Sequence, residues 1–229
     1  MILSEADLVA LWLSMKLAAI STLLLLIIGV PIAWWLSTSR SRLQPLVDAL
    51  VALPLVLPPT VLGFYLLLMF SPSSTIGNAL ESSLGVSLAF SFEGLVIGSV
   101  VYSLPFVVQP LQSAFAGVRR EYLETAMLLG ASRLDRWLSV ILPITKTGFL
   151  SAVVLGFAHT LGEFGVVLMI GGNIPGETQL VSIAIYEHVE SLEFAAAHNL
   201  SLALLVISFV LLLGLYAFNR NSAANLIAR

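Results

Sequence analysis

Residues 17–36 carry no charge, over about the twenty residues an α-helix needs to cross a bilayer. Further apolar runs follow at 46–70, 94–118, 147–170 and 199–218. Hydrocarbon offers the backbone no hydrogen bonds, so each run must satisfy its own and be helical rather than an open strand. The expected fold is an all-α membrane protein, a five-span helical bundle filling 1–229 as one domain. Composition agrees: 59% of residues are hydrophobic and 10% charged, where a soluble domain carries about a quarter charged. Mean hydropathy is +1.02. The acidic amino terminus before Lys16 lacks a small-residue cleavage site, so it does not read as a removable signal.

The runs are not plain lipid-facing cylinders. The second contains Pro54, Pro58 and Pro59, which remove backbone donors and predict a kinked or locally unwound span packed inside a bundle. The third contains Pro105 and Pro110, and its Gly94 and Gly98 permit close helix approach. A short amphipathic lead-in, capped by Ser4 and Asp7, is expected before the first span. Residues 71–93 read as a loop and 179–190 as a short helix, surface-bound or re-entrant.

Charge orients the bundle. Arg40 and Arg42, the 119–146 segment, and a tail with Arg220 and Arg229 are basic, whereas 71–93 and 171–198 contain no Lys or Arg. Basic loops stay cytoplasmic, so the amino terminus is expected outside and the carboxyl terminus inside.

The 119–146 segment, RREYLETAMLLGASRLDRWLSVILPITK, holds five of the ten Lys and Arg residues. Leu123, Ala126, Met127, Gly130, Leu134, Trp137, Leu138 and Ile141 recur at spacings of three and four, a helical stripe with a break at Gly130. Periodicity alone fits either an amphipathic connector or a surface presented to a partner.

Several chemistries are absent. There is no phosphate-cradling G-x-x-x-x-G-K-[ST], no HExxH and no G-x-S-x-G. With no cysteine, and with His159, His188 and His198 lacking ligand spacing, no metal site is expected. A net charge of −3 argues against nucleic acid. No catalytic residues are expected, and an enzyme is disfavoured. His159 and Glu163 stand four apart inside the fourth run, and ionisable groups there are costly. They either pair with each other and reduce the cost of burial, or act as ligands or gate residues on a path. Gly162 and Gly165 flank them.

Glu124-Thr125-Ala126, then Gly130, then Val140-Ile141-Leu142-Pro143 resembles the EAA signature of ABC-importer permeases, with Thr125 and Val140 as departures from its pattern. In that family the segment is the coupling loop seated in a cleft of the ATPase subunit, which implies coupling roles for Glu124, Thr125, Ala126, Gly130, Ser132 and Pro143. HTLGEFGVVLMIGGNIPGETQLVSIAIYEHVE, with LSMKLA and LPLVLPP, is similar to the molybdate-permease branch. Tungstate, sulfate and thiosulfate permeases share the general pattern. The resemblance implies a type I importer transmembrane domain in the bacterial inner membrane. It also implies a homodimer of this chain, two cytoplasmic ATPases that bind ATP and Mg, and an external oxyanion-binding protein. No cofactor is expected in this chain itself.

A secondary transporter would instead show inverted repeats and a midplane ion site, and no convincing repeat is evident. An assembly subunit would not need the proline and glycine interruptions. With no Lys or Arg inside a span, selectivity is expected to lie with the binding protein. The path wall is then Ser, Thr and Asn side chains and bared helix ends. Single cysteines at Ser73 and Ser191 should react with an impermeant thiol reagent from outside, and one at Ser132 only after the membrane is opened. External labelling at Ser132 would reverse the orientation.

Overall fold

The computed structural model describes residues 3–85 and 87–227. Arg229 of the expected basic tail lies outside the described residues. Helix α1, Glu5–Thr38, begins at a reciprocal cap: Asp7 N–H donates to Ser4 Oγ and Ser4 N–H to Asp7 Oδ2, each at 3.1 Å. The expected lead-in and first span are one continuous helix, because neither Gly nor Pro occurs between Glu5 and Ile28. Lys16, the only cation in it, sits 4.4 Å above the Phe92 ring, which shelters its charge.

The second run forms two helices, α2 (Gln44–Val56) and α3 (Pro59–Phe70), whose axes turn by 111°. Leu57 and Pro58 are extended, as residues preceding proline tend to be, and Pro58 and Pro59 offer no N–H to continue a helix. The expected loop at 71–93 contains a further helix, α4 (Thr75–Leu84). Ser74 caps it by accepting the Gly77 N–H at 2.8 Å, and left-handed Gly85 ends it.

Helix α5, Phe92–Ala116, passes through Pro105 and Pro110 unbroken. A polar segment follows with α6 (Arg120–Leu128), α7 (Arg133–Arg136) and a π-helical turn, Trp137–Ile141. Helix α8, Leu142–Leu161, stops well short of the expected end of the fourth span, and α9 (Gly165–Gly171) resumes after a break. Helix α10 is Val181–Glu190 and α11 is Phe194–Ile227. By length and composition, four helical stretches can cross a membrane among the described residues, or five if α2–α3 counts as one bent span.

Helices α1, α5 and α8 pack together as the centre of the bundle. Leu25 and Leu36 of α1 meet Val107, Val108 and Leu111 of α5 there, with Ile141 and Ala152 closing the cluster. Small residues set the spacing: a Cβ on Gly156 would fall 2.6 Å from Val107 Cγ2, and one on Gly98 2.4 Å from Ile170 Cδ1. The outward faces of α1 and α11 stay apolar, with Ile27 and Phe209 each 62% exposed, as lipid requires.

At the end of the bundle that carries the amino terminus, α10 is tied to both long helices. Val181 N–H donates to Ser14 Oγ of α1 at 2.8 Å. His188 Nε2 lies 2.8 Å from Asp7 Oδ1, and its Nδ1 lies 3.0 Å from Glu193 Oε2. With a carboxylate at each nitrogen the ring is best satisfied doubly protonated. The bond to Asp7 first, then that to Glu193, raises the His188 pKa above its ordinary value. A raised folded-state pKa means the tether contributes fully below the ordinary histidine pKa and is lost as pH rises through the folded value. Detergent-solubilised protein should therefore lose melting temperature from mildly acidic to alkaline pH, and His188→Gln should flatten that part of the profile.

Candidate functional site

Two features stand out, at opposite ends of α8. The first is the polar segment before it. No residue of α6 is buried, and Leu128 and Leu129 are 88% and 83% exposed. Glu121 in the first turn favours the helix dipole. Arg120 is the partner of Glu124, with Nε 2.8 Å from Oε1 in an exposed pair that contributes little stability. Thr125 O and Ala126 O accept the N–H groups of Leu129 and Ala131 and so close the helix end. Gly130, at φ 82°, makes the turn; a β-branched residue there would be strained. Ser132 then caps α7: Asp135 N–H donates to Ser132 Oγ at 3.2 Å, and Ser132 N–H to Asp135 Oδ2 at 3.1 Å.

The π-helical turn runs directly into Pro143, whose missing N–H leaves the preceding turn free to widen. Trp137 in that turn packs on Trp34 of α1, ring centroids 4.9 Å apart, and on Phe115 of α5 at 5.8 Å. One side of the segment is thus bolted into the bundle by aromatic rings, while α6 and the Leu128–Leu129 corner stand uncovered. Exposed apolar area of this kind, rimmed by charges, marks a contact surface for another protein.

The second feature is the break between α8 and α9. Gly162 N–H reaches back to His159 O and Ala158 O, and Phe164 departs from helical geometry at φ −132°, ψ −66°. Gly165 restarts the chain hard against α3, where a Cβ would lie 2.9 Å from Pro59 Cβ. The break leaves Glu163 outside the helical register, with its side chain 0% exposed. Two hydroxyls one turn apart on α5 meet its carboxylate: Ser99 Oγ donates to Oε2 and Ser103 Oγ to Oε1, each at 2.6 Å. Short bonds to an ionised acceptor are among the stronger kinds. Ser182 Oγ of α10 donates to the Glu163 carbonyl.

His159 does not bond Glu163 directly. Its Nδ1 lies 3.7 Å from Oε1 but 2.8 Å from Ser103 Oγ, so the pairing expected from sequence is bridged by a serine. The ring stacks on Phe106 with centroids 3.7 Å apart, and Tyr102 tilts over it at 4.8 Å. Thr160 Oγ1 completes the cluster, 3.0 Å from Ser103. Ser99 and Ser103 were missed by sequence reading; their only signal is a four-residue spacing of hydroxyls within SVVYS on the Gly98 side of an apolar run.

The NIPGET stretch after α9 is a folded connector. Gly176 turns at φ 79°, and buried Thr178 donates to Gly171 O at 2.6 Å. Asn173 and Gln179 both donate to Glu187 Oε2 of α10, at 3.0 and 2.6 Å. Among the described residues no cluster of His, Asp and Glu has the geometry to hold a metal ion.

A bundle of interrupted apolar helices, with an exposed polar loop ahead of its third long helix, fits a membrane transport component. The chain matches, over residues 12–226, the family described as binding-protein-dependent transport system inner membrane component, and it belongs to that family. It is 53% identical over 222 residues to the molybdenum transport system permease protein ModB of Azotobacter vinelandii, covering 96% of this chain and 98% of that one. It is 36% identical over 191 residues to ModB of Escherichia coli (strain K12), covering 83% of each. A bacterial ABC transporter involved in import of the acidic polysaccharide alginate shares the fold at TM-score 0.77 and 18% identity, over 95% of this chain and 80% of that one. The protein is thus a multi-pass inner-membrane permease subunit, a type I ABC importer fold without catalytic machinery of its own.

Gly130→Val and Ala126→Trp should leave the protein inserted in the membrane but abolish binding-protein-dependent uptake. The first strains a left-handed turn; the second overpacks a contact surface by about 1–3 kcal/mol. Membrane fractionation alongside uptake separates the two effects, and normal uptake by both variants would remove the loop from the transport cycle.

Proposed function

We propose that this chain is the membrane-spanning subunit of an ATP-driven importer that carries molybdate into the cytoplasm. The observation that carries the reading is the 53% identity to a molybdenum permease over nearly the full length of both proteins. Two copies of the chain enclose the path. Two cytoplasmic ATPases, which bind the ATP and Mg, seat against α6, Gly130 and the capped start of α7 at Ser132. An external oxyanion-binding protein delivers the ion. The amino terminus faces outside, and the carboxyl terminus with the 119–146 loop faces the cytoplasm.

The geometry supports a mechanical division of labour. Glu124 and Arg120 hold the outer face of α6, Ala126 keeps that face shallow, and Gly130 sets the angle to α7. The π-helical turn and Pro143 pass displacement to α8. At the far end, Gly162 and Glu163 lie in the break between His159, in the last turn of α8, and Gly165, which starts α9; a change of α8 tilt is taken up there. The carboxylate of Glu163 is directed onto the α5 serines, which supports a positional role.

Proteoliposomes holding the permease with its cognate ATPase and binding protein should accumulate labelled molybdate only when ATP is enclosed with the ATPase. Accumulation driven by an ion gradient without ATP would instead indicate a secondary transporter. Stronger uptake of sulfate, thiosulfate or tungstate would move the substrate to that oxyanion. In the same assay Glu163→Gln should slow uptake by several-fold, since it removes the charge that both serines meet. It should leave the ratio of molybdate to sulfate competition unchanged, and a shifted ratio would place Glu163 in contact with the ion.

A further inference from the structure

The two interrupted spans face each other across a cavity of about 590 Å³. Pro59 and Thr60 of α3, Tyr102 of α5 and the stretch from Ala158 and His159 through Gly162–Gly165 line it. Among the described residues no Lys or Arg contributes to the wall. Glu163 does, but its side chain is 0% exposed, so what it offers the cavity is backbone.

Three polar groups of this wall bond to no described residue: the Thr60 hydroxyl, the Tyr102 hydroxyl and His159 Nε2. The histidine is held in one tautomer by its neighbours. Ser103 has a single proton, which it donates to Glu163 Oε1, so it meets His159 Nδ1 as an acceptor. A ring proton therefore sits on Nδ1, and in the neutral ring Nε2 carries the lone pair. Stacking on Phe106 fixes the plane of the ring. A wall with two hydroxyl donors, one neutral acceptor and a sequestered carboxylate suits an anion that keeps part of its water. The hydroxyls donate to the ion's oxygens, while Nε2 accepts from a water in its shell. The volume leaves room for a tetrahedral oxyanion with such water.

We propose that this cavity is a transient binding stop for a partly hydrated tetrahedral oxyanion, held by Thr60 and Tyr102 and oriented by His159. The proposal rests on the chain being an oxyanion permease. Neutral donors bind a dianion weakly and release it readily, whereas a lysine or arginine at this depth would trap it. The serine pair on α5 has a second consequence here: by donating to both oxygens of Glu163, it keeps the carboxylate off the cavity surface and weakens, without abolishing, its repulsion of the ion.

The chain contains no cysteine, so Ala158→Cys provides a unique thiol on the cavity wall while the Thr60 and Tyr102 hydroxyls stay in place. In the complete reconstituted transporter, millimolar molybdate should slow labelling of that thiol several-fold, and chloride at equal ionic strength should not. Sulfate should protect comparably, because hydroxyl donors read a tetrahedral dianion and not its central atom. Thr60→Val with Tyr102→Phe should lower maximal molybdate uptake by about tenfold or more, the loss of one to two hydrogen bonds. Thr60→Ser, which keeps the hydroxyl, should restore uptake to Tyr102→Phe levels. Labelling unaffected by molybdate, with undiminished uptake by the double variant, would overturn the proposal. Wild-type uptake measured in parallel separates the failures: intact molybdate uptake without protection removes the cavity site alone, whereas absent uptake removes the transport reading and the site with it.

Discussion

A carboxylate inside a membrane protein must be met by donors the protein itself supplies, and Glu163 fixes much of the architecture around it. Its two oxygens reach Ser99 and Ser103 on α5, and its carbonyl accepts from Ser182 on α10. One residue in a helix break thereby joins α5, α8, α9 and α10. Losing either serine leaves a buried charge short of a donor, a cost on the order of 1–3 kcal/mol or more. The break itself depends on the same bonds. Unwound backbone at membrane depth persists only where protein satisfies it, and here the glycines at 162 and 165 admit the turn while the serines hold its charged side chain.

The second interrupted span obeys the same constraint by another route. At Pro58 and Pro59 two N–H groups are removed outright, so the break between α2 and α3 leaves fewer donors to satisfy. Gly165 then lets the restart of α9 lie directly on Pro59. The two breaks are complementary: one lacks donors and the other supplies close approach, and the space left between them is the cavity. Helices that ran straight through would have filled it.

How much of this was legible in the sequence follows from which forces act locally. Apolar runs and the absence of lipid hydrogen-bond partners dictate helices, and the prolines announce the α2–α3 break. Gly130 between two apolar half-stripes announces the corner of the loop. Helix α4 was hidden because Pro72, Ser73, Ser74 and Gly77 read as loop formers, although Ser74 acts as a cap. The continuity of α1 was hidden because Lys16 suggests a boundary, yet the cation is covered by Phe92 from a helix far along the chain. Ser99 and Ser103 were illegible for a related reason. A serine in an apolar run commonly bonds its own helix, as Ser14 does to Ala10 O, and only the tertiary position of Glu163 distinguishes them.

Helix α8 is what joins the two ends. Its twenty residues form a rod of roughly 30 Å with the Ser132 cap and the π-helical turn at one end and Gly162 at the other. It contains no proline beyond Pro143 in its first turn, and Gly148 and Gly156 press it onto α5, where added Cβ atoms would meet Ala114 and Val107 at 2.3 and 2.6 Å. A rod so seated cannot absorb a push by bending; it tilts or slides along α5 as a unit. The displacement must then appear where the backbone is not helical, at Glu163 and Phe164, which form the wall of the cavity and the attachment to α10. A surface contact at α6 and the shape of a cavity near the other side of the membrane are in this way two readings of the position of one helix.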